Sequence, residues 1–259
     1  MQYQSTGRTV GNSLNINLNG NLKKVNFWTG YSLGKQRSLD SGTSGSPFDA
    51  FDFSNEWARS SFSALSFFYG GGYYEAPHGI NLNLFMIGSS GQPFNITTGR
   101  DTNGDTAFSE RPAFATDLNK PGVVVTPLGA FDPNPTPGEQ IIPRNFGRGP
   151  AFFSTNLSME KIFKFGKAME PMTPTAPPKA SDGASAKPQP KPPLQRPYTV
   201  GFSVYVNNLF NRTNKGTPTG NMASPYFLKS ASGSNMFSFG PGGGSGGNRI
   251  ISLRVRFSF

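Results

Sequence analysis

RIISLRVRFSF, the stretch at residues 249–259, alternates strictly between apolar and polar side chains. One side of this stretch is apolar and carries Ile251, Leu253, Val255, Phe257 and Phe259. The other side is polar and carries Ser252, Arg254, Arg256 and Ser258. A period of two residues predicts a β-strand with one apolar and one polar face. Such an apolar face suits either a soluble core or lipid, and the stretch alone does not choose between them.

The same alternation recurs upstream in the chain. It predicts strands near residues 14–18, 22–33, 56–74, 80–88, 152–166 and 198–208. Because no segment shows a convincing helical period, we predict an all-β fold with about seven antiparallel strands connected up and down.

Composition narrows the class of protein. No stretch approaches the 18 or more consecutive apolar residues of a transmembrane helix, so a membrane protein with this sequence would have to be a β-barrel. The absence of cysteine excludes disulfides and thiolate metal sites. The formal net charge is +10. Because the basic residues are scattered instead of clustered, no nucleic-acid partner is expected.

The connections between the predicted strands differ in length. Long polar loops are predicted at 35–55, 89–150 and 209–248, and short turns at 20–21 and 75–79. With the end of the chain on the periplasmic side, the long loops fall outside and the turns inside, as is typical of transmembrane outer-membrane barrels. A soluble β-sandwich is the alternative, but loops longer than about 15 residues are uncommon in compact soluble domains. Aromatic residues near the predicted strand ends also favour the barrel.

The predicted domain organisation has three parts. Residues 1–165 carry the first five strands, and residues 198–259 carry the last two. Between them, residues 166–197 form a Pro-, Ala- and Lys-rich segment, which predicts a flexible linker. This linker would lie on the periplasmic side and so departs from the short-turn pattern.

Four strings stand in order along the chain. They are SGQPFNITTGRDTNGDTAFSERPAF (90–114), IPRNFGRGPAFFSTNLSMEKIF (142–163), NNLFNRTN (207–214) and the terminal RVRFSF. Together they resemble the C-terminal part of a TonB-dependent receptor-like outer-membrane protein of the Oar-like group. Members of that group carry a carboxypeptidase-regulatory-like domain at their N-terminus. The resemblance covers nearly the whole chain from about residue 26, apart from the linker.

The resemblance implies a place in the bacterial outer membrane and a role in binding or uptake of a ligand through a plugged lumen. Expected partners are outer-membrane lipid, the barrel-assembly machinery and an unidentified ligand. A TonB-type energy-coupling protein would act only through N-terminal parts that this chain lacks. The terminal strand resembles the signal read by the assembly machinery, with Phe257 and Phe259 on its membrane side. A strand that simply ends in Phe is the alternative reading.

The chain also departs from that family. It contains no plug domain, no TonB-box segment and no N-terminal regulatory domain. Receptor barrels of this type have about 22 strands, whereas about seven strands cannot close even the smallest barrel of about eight. We therefore expect an incomplete barrel, which is either a fragment of a larger receptor or one piece of a split product.

Two other classes of function remain open at this stage. The chain could be a structural or adhesive protein of the outer-membrane surface, or a secreted soluble β-domain. An enzyme is not expected, because His78 is the only histidine and no base–nucleophile set or metal cluster accompanies it.

The segment DTNGDTAFSE is a candidate calcium-type loop. It places Asp101, Asn103 and Asp105 at alternate positions, with Gly104 between them and Glu110 further on. Hard oxygen ligands spaced in this way can wrap Ca²⁺, although the match to an EF-hand loop is poor. A hydrogen-bonded Asx turn is the simpler interpretation.

The polar strand faces carry a second candidate group. Glu160, Arg254 and Arg256 are predicted to lie on the lumen side, where they could form a ladder of charges. Structural pairing against a plug or water is the alternative to a substrate path.

Overall fold

The computed structural model describes residues 7–39, 47–48, 53, 55–61, 65–168, 196–230 and 247–259. The strands in chain order are β1 (Thr9–Leu22), β2 (Val25–Ser38), β3 (Ala58–Arg59), β4 (Ser66–Ala76), β5 (Ile80–Ser89), β6 (Pro93–Phe94), β7 (Ala113–Phe114), β8 (Val124–Thr126), β9 (Gly129–Asp132), β10 (Gly147–Arg148), β11 (Phe152–Phe165), β12 (Tyr198–Asn207) and β13 (Ile250–Ser258). A single 3-10 turn at Pro77–Gly79 is the only helical element of the described residues. None of the helical structure in this part of the chain could span a membrane.

The seven long strands form one sheet. Their order is β1-β2-β4-β5-β11-β12-β13, and β3 pairs with the end of β2. Every neighbouring pair is antiparallel, so the all-β, antiparallel prediction is confirmed. Within the described residues, β1 and β13 each have one neighbour, and the sheet does not close on itself.

Three predicted boundaries are wrong. The first turn, predicted at 20–21, lies at Lys23 and Lys24, because β1 continues to Leu22 and its Gly20 pairs with Phe27. The strand β2 continues to Ser38, past the predicted start of a loop at residue 35. The strand predicted to begin at residue 56 begins at Ser66, because residues 58–59 pair with the end of β2 as β3. Most of the predicted loop at 35–55, residues 169–195 of the predicted linker and residues 231–246 lie outside the described residues.

The register of the sheet collects the apolar side chains on one face. Leu157 lies opposite Leu84 on one side and opposite Val206 on the other. This alignment continues across all seven strands, and we call its members the apolar belt: Leu14, Ile16, Leu18, Tyr31, Leu33, Phe68, Leu84, Met86, Leu157, Met159, Phe163, Val200, Phe202, Val204, Leu253 and Val255. Most of its large side chains are exposed, with Leu18 at 57% and Leu253 at 78%. The half-buried members are Phe68, Met86, Leu157, Val200 and Val204. Lys161, opposite Phe202, lies on the same face.

Glycines on the opposite face make room for aromatic rings. The Tyr69 ring lies across Gly30 of the neighbouring strand, and its hydroxyl donates to Asn17 Oδ1 one strand further on at 2.9 Å. In the same way Trp28 lies across Gly71, where an added Cβ would lie 2.7 Å from Trp28 Cζ2. Because glycine has no side chain, these positions allow aromatic rings to pack flat on the sheet. A larger residue at either position would collide with the ring.

Replacing Gly30 with valine should destabilise the sheet by about 1–3 kcal/mol, because the added side chain would overlap the Tyr69 ring and displace its hydrogen bond. The matched control is Gly11→Val, where the nearest atom to an added Cβ is Gln36 Cγ at an ordinary 3.6 Å. Urea unfolding of both variants, followed by tryptophan fluorescence, measures the difference. Equal stability of the two variants would contradict this account of the packing.

The predicted loop at 89–150 is folded, contrary to the lack of periodicity in its sequence. Its short strands form two small sheets, β6 with β10 and β7 with β9 and β8. A core of Phe94, Ile96, Phe131 and Ile142 is buried beneath them. The same core is also packed by three residues from the loop after β12, namely Met222, Phe227 and Leu228. We call residues 90–150, residues 209–230 and the described part of 47–61 the cap.

Candidate functional site

The end of the sheet remote from the cap is aromatic. Tyr198 stacks on Phe165 with ring centres 5.6 Å apart, and Phe257 lies 6.2 Å from Phe165. Phe259 continues the row, 5.9 Å from Phe257, and is 94% exposed. The two terminal aromatics therefore extend the apolar belt at the edge strand β13, with the last ring uncovered.

The three charged residues predicted for the lumen lie on the polar face of the sheet. Glu160 is opposite Ser203, which is opposite Arg254 on its other side. The Ser203 hydroxyl donates to Glu160 Oε1 at 3.2 Å. The Arg254 guanidinium lies over the Tyr205 ring, 5.3 Å from its centre. Glu160 forms no ion pair with Arg254 or Arg256 among the described residues, so a serine joins the strands in place of a direct charge pair.

A buried ion-pair network holds the cap to the sheet. Glu56 is 2% exposed and binds Arg111 at 2.9 Å, and its second oxygen lies 3.5 Å from Arg144 Nε. Arg144 Nη2 donates to the carbonyl of Ser38, at the end of β2, at 2.6 Å. Arg111 Nη2 donates to the carbonyl of Asn55 at 3.2 Å. A single carboxylate thus joins two parts of the cap to the last residue of a long strand.

Burial works against the charge of Arg111. Desolvation lowers the pKa of Arg111, while the neighbouring Glu56 carboxylate opposes that shift. Arginine stays protonated because its ordinary pKa is far above neutrality. Arg111 therefore keeps its positive charge, and the Glu56 carboxylate offsets the cost of burying that charge.

The change Glu56→Gln should destabilise the cap by about 3–5 kcal/mol, because it leaves two buried guanidinium groups without a counter-charge. Glu75→Gln removes an equal charge from an exposed position at the far end of the sheet and should have little effect. Native-state hydrogen exchange of cap amides measures both. Unchanged cap protection in Glu56→Gln would show that the network contributes nothing.

A basic cavity of about 380 Å³ lies between β2 and the cap, and β3 of the cap contributes to its lining. Its charged lining residues are all basic: Lys35, Arg37, Arg59, Arg144 and Arg148. Burial and, secondarily, the charge of Arg148 lower the pKa of Arg59. Two neighbouring guanidinium groups that repel each other are chemically suited to an anion, such as a carboxylate or phosphate.

The candidate calcium-type loop is folded around its own carboxylates. Asp101 Oδ1 accepts from the amide of Gly104 at 2.7 Å, and Asp101 Oδ2 accepts from the amide of Thr106 at 2.9 Å. Asn103 Oδ1 accepts from the amide of Asp105 at 3.0 Å. Glu110 Oε1 accepts from the amide of Thr102 at 2.8 Å. The Asx-turn interpretation therefore describes the hydrogen bonds, and the carboxylates converge as well.

The sequence alone does not reveal the buried ion-pair network of the cap. The alternation places Glu56 at the start of a predicted strand, and no sequence pattern indicates a role for Arg111 or Arg144. The one usable signal was the presence of Phe94, Ile96 and other apolar residues in a supposed loop, since enough of them could build a core. That signal does not indicate which charges the core would bury.

Three kinds of comparison with known proteins were made. No protein-family model, no curated protein and no solved structure matches the chain.

Proposed function

We propose that the chain forms a run of consecutive strands in the wall of a bacterial outer-membrane β-barrel. In this arrangement the apolar belt faces lipid and the polar face lines the lumen. The cap lies on the outer surface, and the two short turns face the periplasm. The barrel is that of a TonB-dependent receptor-like protein, which binds or takes up a ligand through the lumen.

The single observation that supports this proposal is the apolar belt, which has members on all seven strands and leaves most of its large side chains exposed. In a soluble sandwich a second sheet would cover such a face, and no element of the described residues does so. Exposed apolar patches of this extent mark a protein or membrane contact. Alternation of an apolar face with a mainly polar one, as in β1, β11, β12 and β13, is typical of barrels in lipid.

Strand length and chain ends agree with the same proposal. The long strands contain 9–14 residues, and a tilted strand needs about 9–11 to cross a bilayer. The aromatic row at Phe165, Tyr198 and Phe257 lies at the short-turn end, where an interfacial girdle is expected. The free edges of β1 and β13 would pair with further strands of the barrel, because unpaired backbone groups are not tolerated in lipid.

Ligand capture is proposed for the surface between the cap and the sheet. The basic cavity beside Arg59 and Arg148 is concave and lies at the mouth of the proposed lumen. Its charge favours an anionic ligand. A structural or adhesive role is the second candidate function, and it draws on the well-packed cap, whose buried core could present a stable contact surface.

Adjacent residues of β13 provide the test of membrane insertion. Leu253→Arg places a charge on the apolar face midway along β13, and Ser252→Arg places the same charge on the polar face. An arginine facing the middle of the bilayer costs about 2–4 kcal/mol. In cells that make the protein, we expect at least about a tenfold loss of Leu253→Arg from the urea-washed outer membrane. Ser252→Arg should stay within about twofold of the unchanged protein.

Two results would contradict the lipid-facing assignment. One is recovery of the unchanged protein in the soluble fraction, which would favour a secreted β-domain. The other is equal membrane recovery of the two arginine variants, because a sheet that does not face lipid has no reason to distinguish them.

The mass of the native protein tests the receptor proposal separately. An antibody against β13 should detect, in isolated outer membranes, a band roughly threefold heavier than the 27.9 kDa of this chain, as expected for a parent of about 22 strands. A membrane band near 27.9 kDa would instead support an assembling half-barrel and the adhesive function.

A further inference from the structure

The three acidic side chains of the cap loop form a compact cluster. One carboxylate oxygen from each of Asp101, Asp105 and Glu110 lies within 4.8 Å of the other two. Ca²⁺ binds oxygen at about 2.3–2.6 Å, so oxygens on opposite sides of one ion are about 4.6–5.2 Å apart. The three oxygens are therefore close enough to contact a single ion together.

Glu110 supplies an observation independent of the loop's own hydrogen bonds. Its side chain is 2% exposed, and its Oε2 atom is buried without a hydrogen-bond partner among the described residues. The other oxygen, Oε1, accepts from the amide of Thr102 at 2.8 Å, which holds the carboxylate against the 101–105 turn. An ionised oxygen buried without a partner is costly. A cation would satisfy it.

The surrounding residues offer no cation of their own. The ion pairs of the described residues involve Glu56, Asp132 and Glu139 as the acids, and none involves the cluster. Arg111 follows Glu110 directly in the chain, but its guanidinium is bound to Glu56 at 2.9 Å. Three carboxylates thus converge without a counter-charge from the part of the chain that the structure describes.

One backbone torsion of the loop matches that of an EF-hand loop. Counted from Asp101, the sixth residue is Thr106, whose φ is +67°. An EF-hand loop places an invariant glycine at this position for its sharp turn. A β-branched residue with positive φ is strained, so the loop keeps this conformation at a cost. The final carboxylate comes from Glu110, two positions earlier than in an EF-hand, and reaches the cluster because the turn folds back onto it.

We propose that Asp101, Asp105 and Glu110, with the side-chain oxygen of Asn103, bind one Ca²⁺ in the cap. Oxygen-only ligands of mixed type suit Ca²⁺ better than Mg²⁺, which demands a small octahedral shell. The ion would neutralise the cluster and tie down two parts of the cap. Asn103 Nδ2 donates to the carbonyl of Phe48 at 3.3 Å, and Ser109 donates to that of Pro47 at 2.7 Å. Calcium therefore orders the outer surface near residues 47–48.

Calorimetric titration of the purified, chelator-treated chain with CaCl₂ alone tests the site. We expect one Ca²⁺ per chain with a Kd on the order of 10⁻⁴ M, as in extracellular modules, and weaker binding of Mg²⁺. Glu110→Gln should weaken Ca²⁺ binding by at least about tenfold, because it replaces the buried Oε2 with an amide but leaves Oε1 able to accept from Thr102. Asp117→Asn removes an equal charge from an exposed cap position and should change the Kd by less than about twofold.

An Asx turn without a metal predicts different results. Glu110→Gln would then preserve the fold, and Ca²⁺ would bind to neither the unchanged chain nor the Glu110→Gln variant. If Glu110→Gln fails to fold, Asp105→Asn provides the same comparison at a half-exposed position, with a similar loss expected. Ca²⁺ should also slow proteolysis within residues 99–111 of the unchanged chain, relative to EGTA. No binding of Ca²⁺ at about 10 mM, or equal binding by the unchanged chain and a folded Glu110→Gln or Asp105→Asn variant, would overturn the proposal.

Discussion

Register is the constraint on which the sheet depends. The side chains of a strand alternate with a period of two, so a slip of one residue moves every apolar group to the opposite face. In β13 such a slip would place Arg254 and Arg256 in the apolar belt beside Phe202 and Val204. The same argument holds for each neighbouring pair. The belt is continuous because seven strands each obey it, and the proposed contact with lipid depends on that continuity.

The cap depends on a different physical principle. Its small core contains Phe94, Ile96, Phe131 and Ile142. Five charged residues are also buried in the cap: Glu56, Glu110, Arg111, Asp132 and Arg144. Glu56 is the central charge, since both Arg111 and Arg144 would lack a counter-charge without it. Through Arg144 this carboxylate also reaches the end of β2. The cap is thus attached to the sheet by directional charged hydrogen bonds, whereas the sheet itself is held by ordinary backbone pairing.

The proposed functions of the two regions fit these different principles. A wall in lipid needs a uniform apolar surface and satisfied backbone groups. A surface that meets ligands or ions needs fixed polar groups instead, and the cap has an acidic cluster at Asp101, Asp105 and Glu110 and a basic cavity beside Arg59 and Arg148. Both polar sites lie outside the belt. The proposed membrane contact and the proposed binding sites can therefore be tested separately by single substitutions.

The sequence by itself determined the fold class, the number of long strands and the two faces of the clearly alternating ones such as β13, because period-two alternation is local and is readable from neighbouring residues such as Leu253 and Arg254. It also indicated the spacing of Asp101, Asn103 and Asp105. Only the tertiary structure decided which distant residues meet. The burial of Glu56 between two arginines and the unpartnered oxygen of Glu110 follow from how the cap folds over its core. Such contacts join segments far apart in the chain, and no local pattern encodes them.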